Sequence, residues 1–411
     1  MDVLRKFSCL FIFLFGLGAA NEVALSKEIA PTDEYCREIN DPSSGTEVVL
    51  YPGDYKGACK VRRGGRPGFP LIIRALDLKK RPHIHYEGKT GNVLEIYADN
   101  ILIRGLEFGP THYDVDGIRV FSGDDITIED CVFDRMGGIA LVANHASISG
   151  GVFRRNKIID SASTGMYFGC HDGNACIMSQ LLVEKNFING VSGRESEIGY
   201  GIQIKLNSFG VVRDNVIVNT KGPGIMVYGA KGLSDTSIIE RNFVAGSRES
   251  SGIVIGGGAA IVRNNVVVRN SEAGIGLEDY GRRGLLRKIV VTHNTVYNNG
   301  RGGILARTEG AVEAEIYGNA VLSPEGTPPF PAEHEGLRVV RNQDCRNVAC
   351  FFDPANKDFT PVKGSALFTI GENGTLRSSP LDDYFGKPRG DLPVIGAIEP
   401  PGGRIKLELK P

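Results

Sequence analysis

The sequence repeats Asn156-Lys-Ile, Asn186-Phe-Ile, Asn215-Val-Ile, Asn242-Phe-Val, Asn265-Val-Val, Asn294-Thr-Val and Asn319-Ala-Val, in which an asparagine is followed by any residue and then by an apolar one. Successive asparagines are 30, 29, 27, 23, 29 and 25 residues apart. A period of roughly 20–30 residues built from short β-branched runs is typical of solenoids with one strand-turn-strand-turn coil per repeat. A buried asparagine can hydrogen-bond the turn backbone and its own copies in neighbouring coils, which satisfies its polar groups. The pattern therefore predicts an all-β solenoid of stacked coils.

A glycine that precedes an apolar/any/apolar strand forms a second column. Its members are Gly117, Gly138, Gly165, Gly201, Gly224, Gly252, Gly274 and Gly303. The interval from each asparagine to the next glycine is 9 or 10 residues, except for 15 after Asn186. One corner of the coil is therefore nearly constant, and we expect glycine there because a tight bend with positive φ tolerates it best. Asp130 and Gly105 extend the asparagine repeat upstream. The repeat therefore predicts at least nine coils between about residues 92 and 325.

Residues 1–20 have the features of a secretory signal peptide. Arg5 and Lys6 precede an eleven-residue apolar run, 7–17, which ends in small residues. A membrane span needs about 20 apolar residues, and no other segment is apolar for long enough. We therefore expect a secreted or periplasmic chain that does not associate with a membrane.

The rest of the chain is expected to form one structural domain with two caps. Residues 21–91 are assigned to an N-terminal cap and the first coils, with a short helix within 31–40. Residues 92–325 form the parallel coil core, and 326–411 form a C-terminal coil, cap and tail. Caps are needed because the end coils of a solenoid would otherwise present unpaired strand edges.

Cysteine usage agrees with an exported chain. Three pairs are close enough in sequence or position to form disulfides, namely Cys36/Cys59, Cys170/Cys176 and Cys345/Cys350. Cys131 sits within a strand and is expected to be a small buried apolar residue.

Composition argues against several classes of partner. The formal net charge is −1 and the isoelectric point is about 6.7, so nothing favours nucleic acid or a charged membrane surface. We expect a monomer whose partner is a polysaccharide or oligosaccharide.

Two flanking stretches carry a resemblance to a known family. The N-terminal one runs from Leu50-Tyr-Pro-Gly-Asp-Tyr-Lys-Gly through Phe69-Pro-Leu-Ile-Ile-Arg-Ala to Val93-Leu-Glu-Ile-Tyr, and the C-terminal one includes Asp383-Tyr-Phe-Gly-Lys-Pro-Arg-Gly and Val394-Ile-Gly-Ala-Ile-Glu. Together they resemble right-handed parallel β-helix proteins of the pectate-lyase superfamily, closest to the branch of chondroitinase B and the alginate lyases. The resemblance implies a single right-handed parallel β-helix, but fold alone does not determine function.

Alternation along the strand after each glycine predicts which side chains face outward. Ile202 and Ile204 point inward, and Gln203 and Lys205 point outward. The other expected outward residues are Arg119, Ala140, Tyr167, Met226, Tyr228, Val254, Glu278 and Arg307. This stripe suits an extended sugar chain better than a protein interface, with an ordinary solvated sheet face as the alternative.

Two insertions indicate which part of the stripe to search. Residues 170–180 and 190–200 are the longest departures from the minimal coil, and both border the strands of Tyr167 and Lys205. Long loops on rigid scaffolds commonly carry function, so we expect them to wall a cleft. The first contains His171 and Asp172, and a disulfide there would hold His171 in place.

The resemblance implies lyase chemistry on an acidic, uronate-containing polysaccharide. Such β-elimination needs a base for the C5 proton, a donor or cation for the carboxylate, and an acid for the leaving oxygen. The resemblance assigns the base to Lys205, whose ordinary pKa of about 10.4 would have to be lowered. His171 or Tyr167 is the candidate acid. The predicted substrate contacts are Arg119, His145, Asp172, Gln203, Tyr228, Glu278 and Arg307.

The cofactor and the reaction class stay open at this stage. The branch has an arginine one coil beyond the base, where this chain has Met226 and Tyr228. A calcium site would have to come from the loose set Asp172, Glu195 and Glu197, and metal-free neutralisation by Gln or Arg is the alternative. A uronate C5-epimerase, a glycoside hydrolase using Asp114 and Asp116, and a non-catalytic glycan-binding surface protein are the competing functions.

Overall fold

Three long parallel β-sheets wind around one apolar core. The structure is a computed structural model and describes residues 26–232, 234–307, 312–368, 380–391 and 393–400. The predicted signal peptide lies outside these residues. Each complete coil contributes one strand to each sheet, the end coils contribute fewer, and neighbouring coils pair in parallel, in register. The predicted parallel β-helix is confirmed.

The strands of each sheet follow one another in chain order along the solenoid. The first sheet contains Ser26–Ile29, Glu47–Leu50, Leu71–Ala75, Ile101–Arg104, Ile126–Glu129, Val152–Arg154, Leu181–Glu184, Gly210–Arg213, Ser237–Glu240, Ala260–Arg263, Ile289–Thr292, Ala314–Tyr317 and Leu337–Val340. The second contains Cys59–Val61, Asn92–Tyr97, Asp116–Ser122, Leu141–Ala143, Met166–Phe168, Ile202–Ile204, Ile225–Val227, Ile253–Ile255, Ala273–Glu278 and Gly302–Arg307. The third contains Gly53–Lys56, Pro82–His85, Glu107–Phe108, Val132–Asp134, Lys157–Ser161, Phe187–Val191, Val216–Thr220, Phe243–Ala245, Val266–Val268, Thr295–Tyr297, Ala320–Leu322 and Gln343–Asp344.

Short elements complete the described part of the chain. A helix, Tyr35–Asn40, lies near the N-terminal coils as expected, and Pro42–Ser44 and Pro354–Asn356 are single 3₁₀ turns. Ile148–Ser149 pairs with Met178–Ser179 in parallel, and Phe351–Asp353 pairs with Asp358–Pro361 in antiparallel fashion. Within the described residues, no helix is long and apolar enough to cross a bilayer.

The repeated asparagines stack on one another from coil to coil, as predicted. We call this stack the asparagine ladder and each of its positions a rung. Each rung donates its side-chain amide to a backbone carbonyl of the previous coil and accepts two hydrogen bonds from the rung before it, as Asn265 does with Ile239 and Asn242. The ladder continues to Asn342, which accepts from Asn319. It therefore runs one rung further than the repeated tripeptides indicated.

The corner before each rung explains why the ladder keeps its register. The residue that precedes each rung adopts the left-handed conformation with φ between 50° and 66°; these residues are Asp130, Arg155, Lys185, Asp214, Arg241, Asn264, His293, Gly318 and Arg341. Asp130 is thus the corner residue, and Cys131 occupies the rung position, where its N–H donates to Asn156. The prediction that Asp130 itself extends the ladder is wrong by one residue, because the rung follows the left-handed residue.

The glycine column has a different cause from the one expected. Its members do not have positive φ. A Cβ on Gly165 would lie 2.5 Å from the carbonyl oxygen of Gly201, and one on Gly201 would lie 2.5 Å from that of Gly224. Close approach of successive coils, rather than a left-handed bend, therefore requires glycine here.

The disulfide predictions are confirmed, and so is the free cysteine. Cys36–Cys59, Cys170–Cys176 and Cys345–Cys350 are bonded, and Cys131 is free and buried.

The segment after the last coil covers a flank of the solenoid. Phe351, Phe359 and Ile395 pack with Phe243 and Val266 of the third sheet. The second sheet carries no such cover from this segment in the described residues, so its outer face is available for the loops of the site.

Candidate functional site

Lys205 lies immediately after the strand Ile202–Ile204 on the outer side of the second sheet. Although it faces away from the core, it is only 2 % exposed. Its ammonium nitrogen lies 3.2 Å from Nδ1 of His171 and 4.1 Å from the centre of the Tyr228 ring, with the Tyr167 ring at 5.4 Å. Burial lowers the pKa of Lys205 from 10.5 to about 8, and the charge of Arg283 acts in the same direction. The amine is therefore available as a base near neutral pH.

The first insertion brings His171 to Lys205. The disulfide Cys170–Cys176 closes a small loop, and Asp172 accepts the backbone N–H groups of Asn174 and Ala175 at 2.8 Å each. These contacts order the loop without using the His171 ring. Asp172 was predicted to bind substrate, but its carboxylate lies at an exposed position and caps its own turn.

The second insertion forms the opposite wall. Arg194 pairs with Asp114 and with Glu197 at 2.9 Å each. Glu197 also accepts a hydrogen bond from Ser163, and Lys221 donates to the carbonyl groups of Arg194 and Glu197. Ionic contacts therefore hold this loop against neighbouring coils, and the Glu197 carboxylate is already engaged.

Three tyrosines line the end of the site near Lys205. The hydroxyl groups of Tyr200 and Tyr228 are 2.9 Å apart, and Gln203 donates to Tyr228 at 3.2 Å. The Tyr280 ring meets the Tyr228 ring edge-on at 4.8 Å between centres. Burial raises the pKa of Tyr200 to about 12 and also raises the pKa values of Tyr228 and Tyr167. These phenols stay protonated at neutral pH.

Arg119 lies at the end of the site farthest from Lys205, and three neighbouring side chains accept hydrogen bonds from its guanidinium group. Its guanidinium donates to Asn92 at 3.0 Å, to Asn144 at 2.8 Å and to Asp116 at 2.5 Å. Asp116 also accepts the backbone N–H of Ile139 at 2.6 Å, and burial raises its pKa. A planar cation in a fixed orientation suits the recognition of a carboxylate or hydroxyl group.

A cavity of about 390 Å³ joins these groups. Six predicted site residues line it, namely Arg119, Tyr167, His171, Gln203, Lys205 and Tyr228. Its size falls in the range of small-molecule sites. Both insertions contribute lining residues, as the sequence predicted.

Three other predicted residues lie elsewhere on the same sheet. His145 is exposed and packs edge-on against Phe121. Glu278 follows Lys205 by three coils, roughly 14 Å along the solenoid, and burial raises its pKa. Arg307 is paired with Glu272 at 2.7 Å. The structure does not bring these three side chains into the cavity.

The register corrects one member of the outward stripe. Arg119 is aligned with Val142, and Val142 with Tyr167. Ala140 was expected in this row, but it is fully buried. Counting two positions from the glycine fails here because the strand Leu141–Ala143 begins later after its glycine than the neighbouring strands do.

Several lining residues could not be assigned from the sequence. Arg194, Tyr200 and Tyr280 come from loops, so strand alternation does not place them. The only available signal was the charge and aromatic content of two insertions. Hydrophobic contact between Tyr200 and Tyr228 across one coil becomes visible only in three dimensions.

The calcium alternative finds little support in this site. Across the ranges that the structure describes, no group of three or more His, Cys, Asp or Glu side chains could hold a metal ion. Of the loose set considered, Asp172 caps a turn and Glu197 pairs with Arg194. Gln203 and Arg119, the residue types of the metal-free alternative, both line the cavity.

Replacement of Lys205 with methionine should stabilise the folded chain at pH 7. An ammonium group with a pKa near 8 when folded and 10.5 when unfolded opposes folding below pH 8, and the penalty disappears as pH rises from about 8 to 10.5. We expect Lys205→Met to raise the free energy of unfolding by about 2–3 kcal/mol at pH 7, with a smaller difference at pH 10. Denaturant titrations at the two pH values measure this. An equal difference in the free energy of unfolding at both pH values would show that Lys205 is not desolvated.

Comparisons with known proteins agree with the fold. Residues 116–259 and 230–321, together half of the chain, match the model of the right handed beta helix region. The structure is similar to an alginate lyase from Paenibacillus sp., with a TM-score of 0.52, 17% identity, and coverage of 76% of this chain and 99% of that one. It is also similar to the A-module of a mannuronan C-5 epimerase from Azotobacter vinelandii, with a TM-score of 0.51, 12% identity, and coverage of 76% and 94%. No curated protein sequence matches the chain.

Proposed function

The chain belongs to the right-handed β-helix family, and we propose that it is an exported polysaccharide lyase that cleaves a uronate-containing polysaccharide by β-elimination. The observation that carries the proposal is the buried amine of Lys205, with a pKa near 8, in a cavity shared with His171 and four tyrosines. An amine in this setting can remove a weakly acidic proton next to a carboxylate. A solvated surface lysine would remain protonated and could not.

In the proposed step, the lone pair of the Lys205 amine takes the C5 proton of a uronate. The electrons of the C5–H bond form the C4–C5 double bond, and the C4–O bond breaks with its electron pair on the departing oxygen. Tyr167 protonates that oxygen, because burial keeps its hydroxyl protonated and its ring lies 5.4 Å from the Lys205 nitrogen. Gln203, on the strand that ends next to Lys205, stabilises the charge that develops on the carboxylate, and Arg119, three coils away, binds an acidic group further along the polymer.

His171 is assigned to the recovery of the proton. Its Nδ1 is within hydrogen-bond distance of Lys205, and the ring is exposed to solvent on the disulfide-closed loop. The imidazole can pass the abstracted proton from the ammonium group to water between turnovers, and the Tyr167 phenolate takes a proton back from water, so that both groups return to their starting forms. Tyr228 packs against Lys205 and is hydrogen-bonded to Tyr200. It therefore holds the amine in place rather than stacking on sugar.

The substrate class is supported by two properties of the site. The cavity combines cationic and amide donors, which suit a carboxylate, with tyrosine edges, which suit sugar hydroxyls. The alginate lyase and the mannuronan epimerase of the same fold act on uronate polymers, as their names state. The export of the chain is supported by three disulfides.

The proposal predicts a defined pH profile. With purified protein and a panel of uronate polymers, ultraviolet absorbance of the new C4–C5 double bond should rise with time. The rate should increase about tenfold per pH unit below pH 8 and level off above it, because only the neutral amine of Lys205 acts as base. A rate that falls as pH rises through this window would contradict this role.

Two other results would assign the site differently. A change of uronate configuration detected by NMR without chain cleavage would indicate an epimerase, which shares the first proton abstraction. Binding without either chemical change would indicate a glycan-binding protein. Hydrolysis through Asp114 and Asp116 is disfavoured, because each carboxylate is paired with an arginine.

A further inference from the structure

Three consecutive glycines, 256–258, lie on the coil after that of Tyr228 and allow a loop to pack closely against the sheet. Gly256 is aligned with Tyr228, and the N–H of Gly258 donates to the carbonyl of Leu285 at 2.8 Å. A Cβ on Gly257 would lie 2.8 Å from Cβ of Leu285, and one on Gly258 would lie 1.7 Å from the carbonyl oxygen of Arg287. Any larger residue would therefore lift the loop off the coil. The glycines allow loop 279–288 to lie flat on the second sheet.

That loop covers the sheet face beyond Lys205. Leu285 packs against a buried apolar cluster consisting of Tyr200, Leu206, Met226, Tyr228 and Val254. Met226 and Val254 are the outward residues that follow Gln203 on the next two coils, and each is only 2 % exposed. Both side chains belong to the apolar cluster against which Leu285 of the loop packs. The row that could bind further sugars is thus occupied by protein.

The opposite end of the cavity reaches solvent. Tyr113 is 72% exposed beside Asp114, and the Arg194 guanidinium lies 4.8 Å from the centre of its ring. One face of the ring is supported by the cation, and the ring presents an exposed surface on which a sugar can stack. Lys205 therefore lies near the closed end, and Tyr113 lies at the open end.

We infer that the site accepts the end of a polysaccharide chain and that the enzyme releases small products from that end. This inference rests on the proposed function. A polymer that enters past Tyr113 reaches Lys205 with only its terminal part, because loop 279–288 prevents the chain from continuing across Met226 and Val254. An open groove would instead admit internal segments.

The mode of cleavage is measured by following solution viscosity and double-bond absorbance together on one uronate polymer. We expect absorbance to rise while viscosity stays nearly constant in the early reaction, with one small product on size-exclusion chromatography from the start. An early drop in viscosity with a ladder of intermediate sizes would overturn the inference and leave the lyase assignment intact.

A variant with an opened end provides the second test. Tyr280→Ala combined with Leu285→Ala removes the two loop side chains that close the cavity, and the product distribution should shift to a range of larger oligosaccharides. Arg338→Ala on the first sheet is the control and should keep the single small product. A double variant that stays folded by circular dichroism and still gives only the small product would overturn the inference.

Binding stoichiometry tests the closed end without catalysis. Calorimetric titration of the inactive Lys205→Met variant with uronate chains of increasing defined length should give one bound protein per chain at every length, because each chain offers one matching end. Stoichiometry that grows with chain length would overturn the closed end. Stoichiometry of one for this variant, together with an absence of any double-bond signal from the wild-type protein, would instead contradict the lyase proposal.

Discussion

Lys205→Met should reduce the elimination rate by about 10³-fold or more, with a folded structure that is at least as stable as the wild type. Loss of a positioned general base typically costs 10²–10⁴-fold. Methionine fills a similar volume next to the Tyr228 ring, so the cavity should keep its shape. The kcat measured from double-bond absorbance should carry the loss, and KM should change little, since Lys205 is assigned to the reacting proton and Arg119 to binding.

Lys205→Arg distinguishes a base from a mere positive charge. A guanidinium group keeps the charge and cannot deprotonate at accessible pH, so this variant should be as inactive as Lys205→Met. Lys157→Met on the third sheet is the matched control and should retain full activity. Activity above a tenth of wild type in Lys205→Arg would show that the residue acts as a cation, and another group would then have to remove the C5 proton.

Strand positions of the fold were predictable because the repeat enforces them. The asparagine spacing places each rung next to its copies, and the register follows from side chains that satisfy one another only when aligned. The same reasoning misplaced Asp130 and missed the reason for the glycine column. Both errors concern backbone conformation and distance between coils, which a single coil's sequence does not encode.

The same limit applies to the site residues, because positions in strands were predictable and positions in long loops were not. Tyr167, Gln203 and Lys205 lie in or directly after regular strands, so alternation placed them together. His171 could be added because its loop is short and closed by a disulfide. Arg194, Tyr200 and Tyr280 depend on where long loops fold back, and Glu278 lies on the predicted face, three coils beyond Lys205 and outside the cavity. Alternation predicts the face of a sheet, whereas distance along the solenoid needs the length of every loop.

Asn265→Leu should lower the free energy of unfolding by about 3–5 kcal/mol. Asn265 is fully buried, and its side chain hydrogen-bonds residues of the coils on both sides. Its oxygen accepts from the backbone and side chain of Asn242, and its amide donates to Ile239 and Asn294. Leucine occupies the volume but leaves these buried groups without partners, and each such group costs about 1–3 kcal/mol. Denaturant titration monitored by circular dichroism measures the loss.

Asn342→Leu is the matched control, because it makes the same change at the half-buried last rung. Its oxygen accepts from Asn319 and its amide donates to Ile316, but no following rung depends on it and water can replace part of what is lost. We therefore expect it to cost less than half as much as Asn265→Leu. Equal losses at the two rungs would show that each asparagine stabilises only its own turn. A larger loss in the interior would show that the ladder couples neighbouring coils, which is the property that holds the strands bearing Lys205 and Tyr228 at a constant separation.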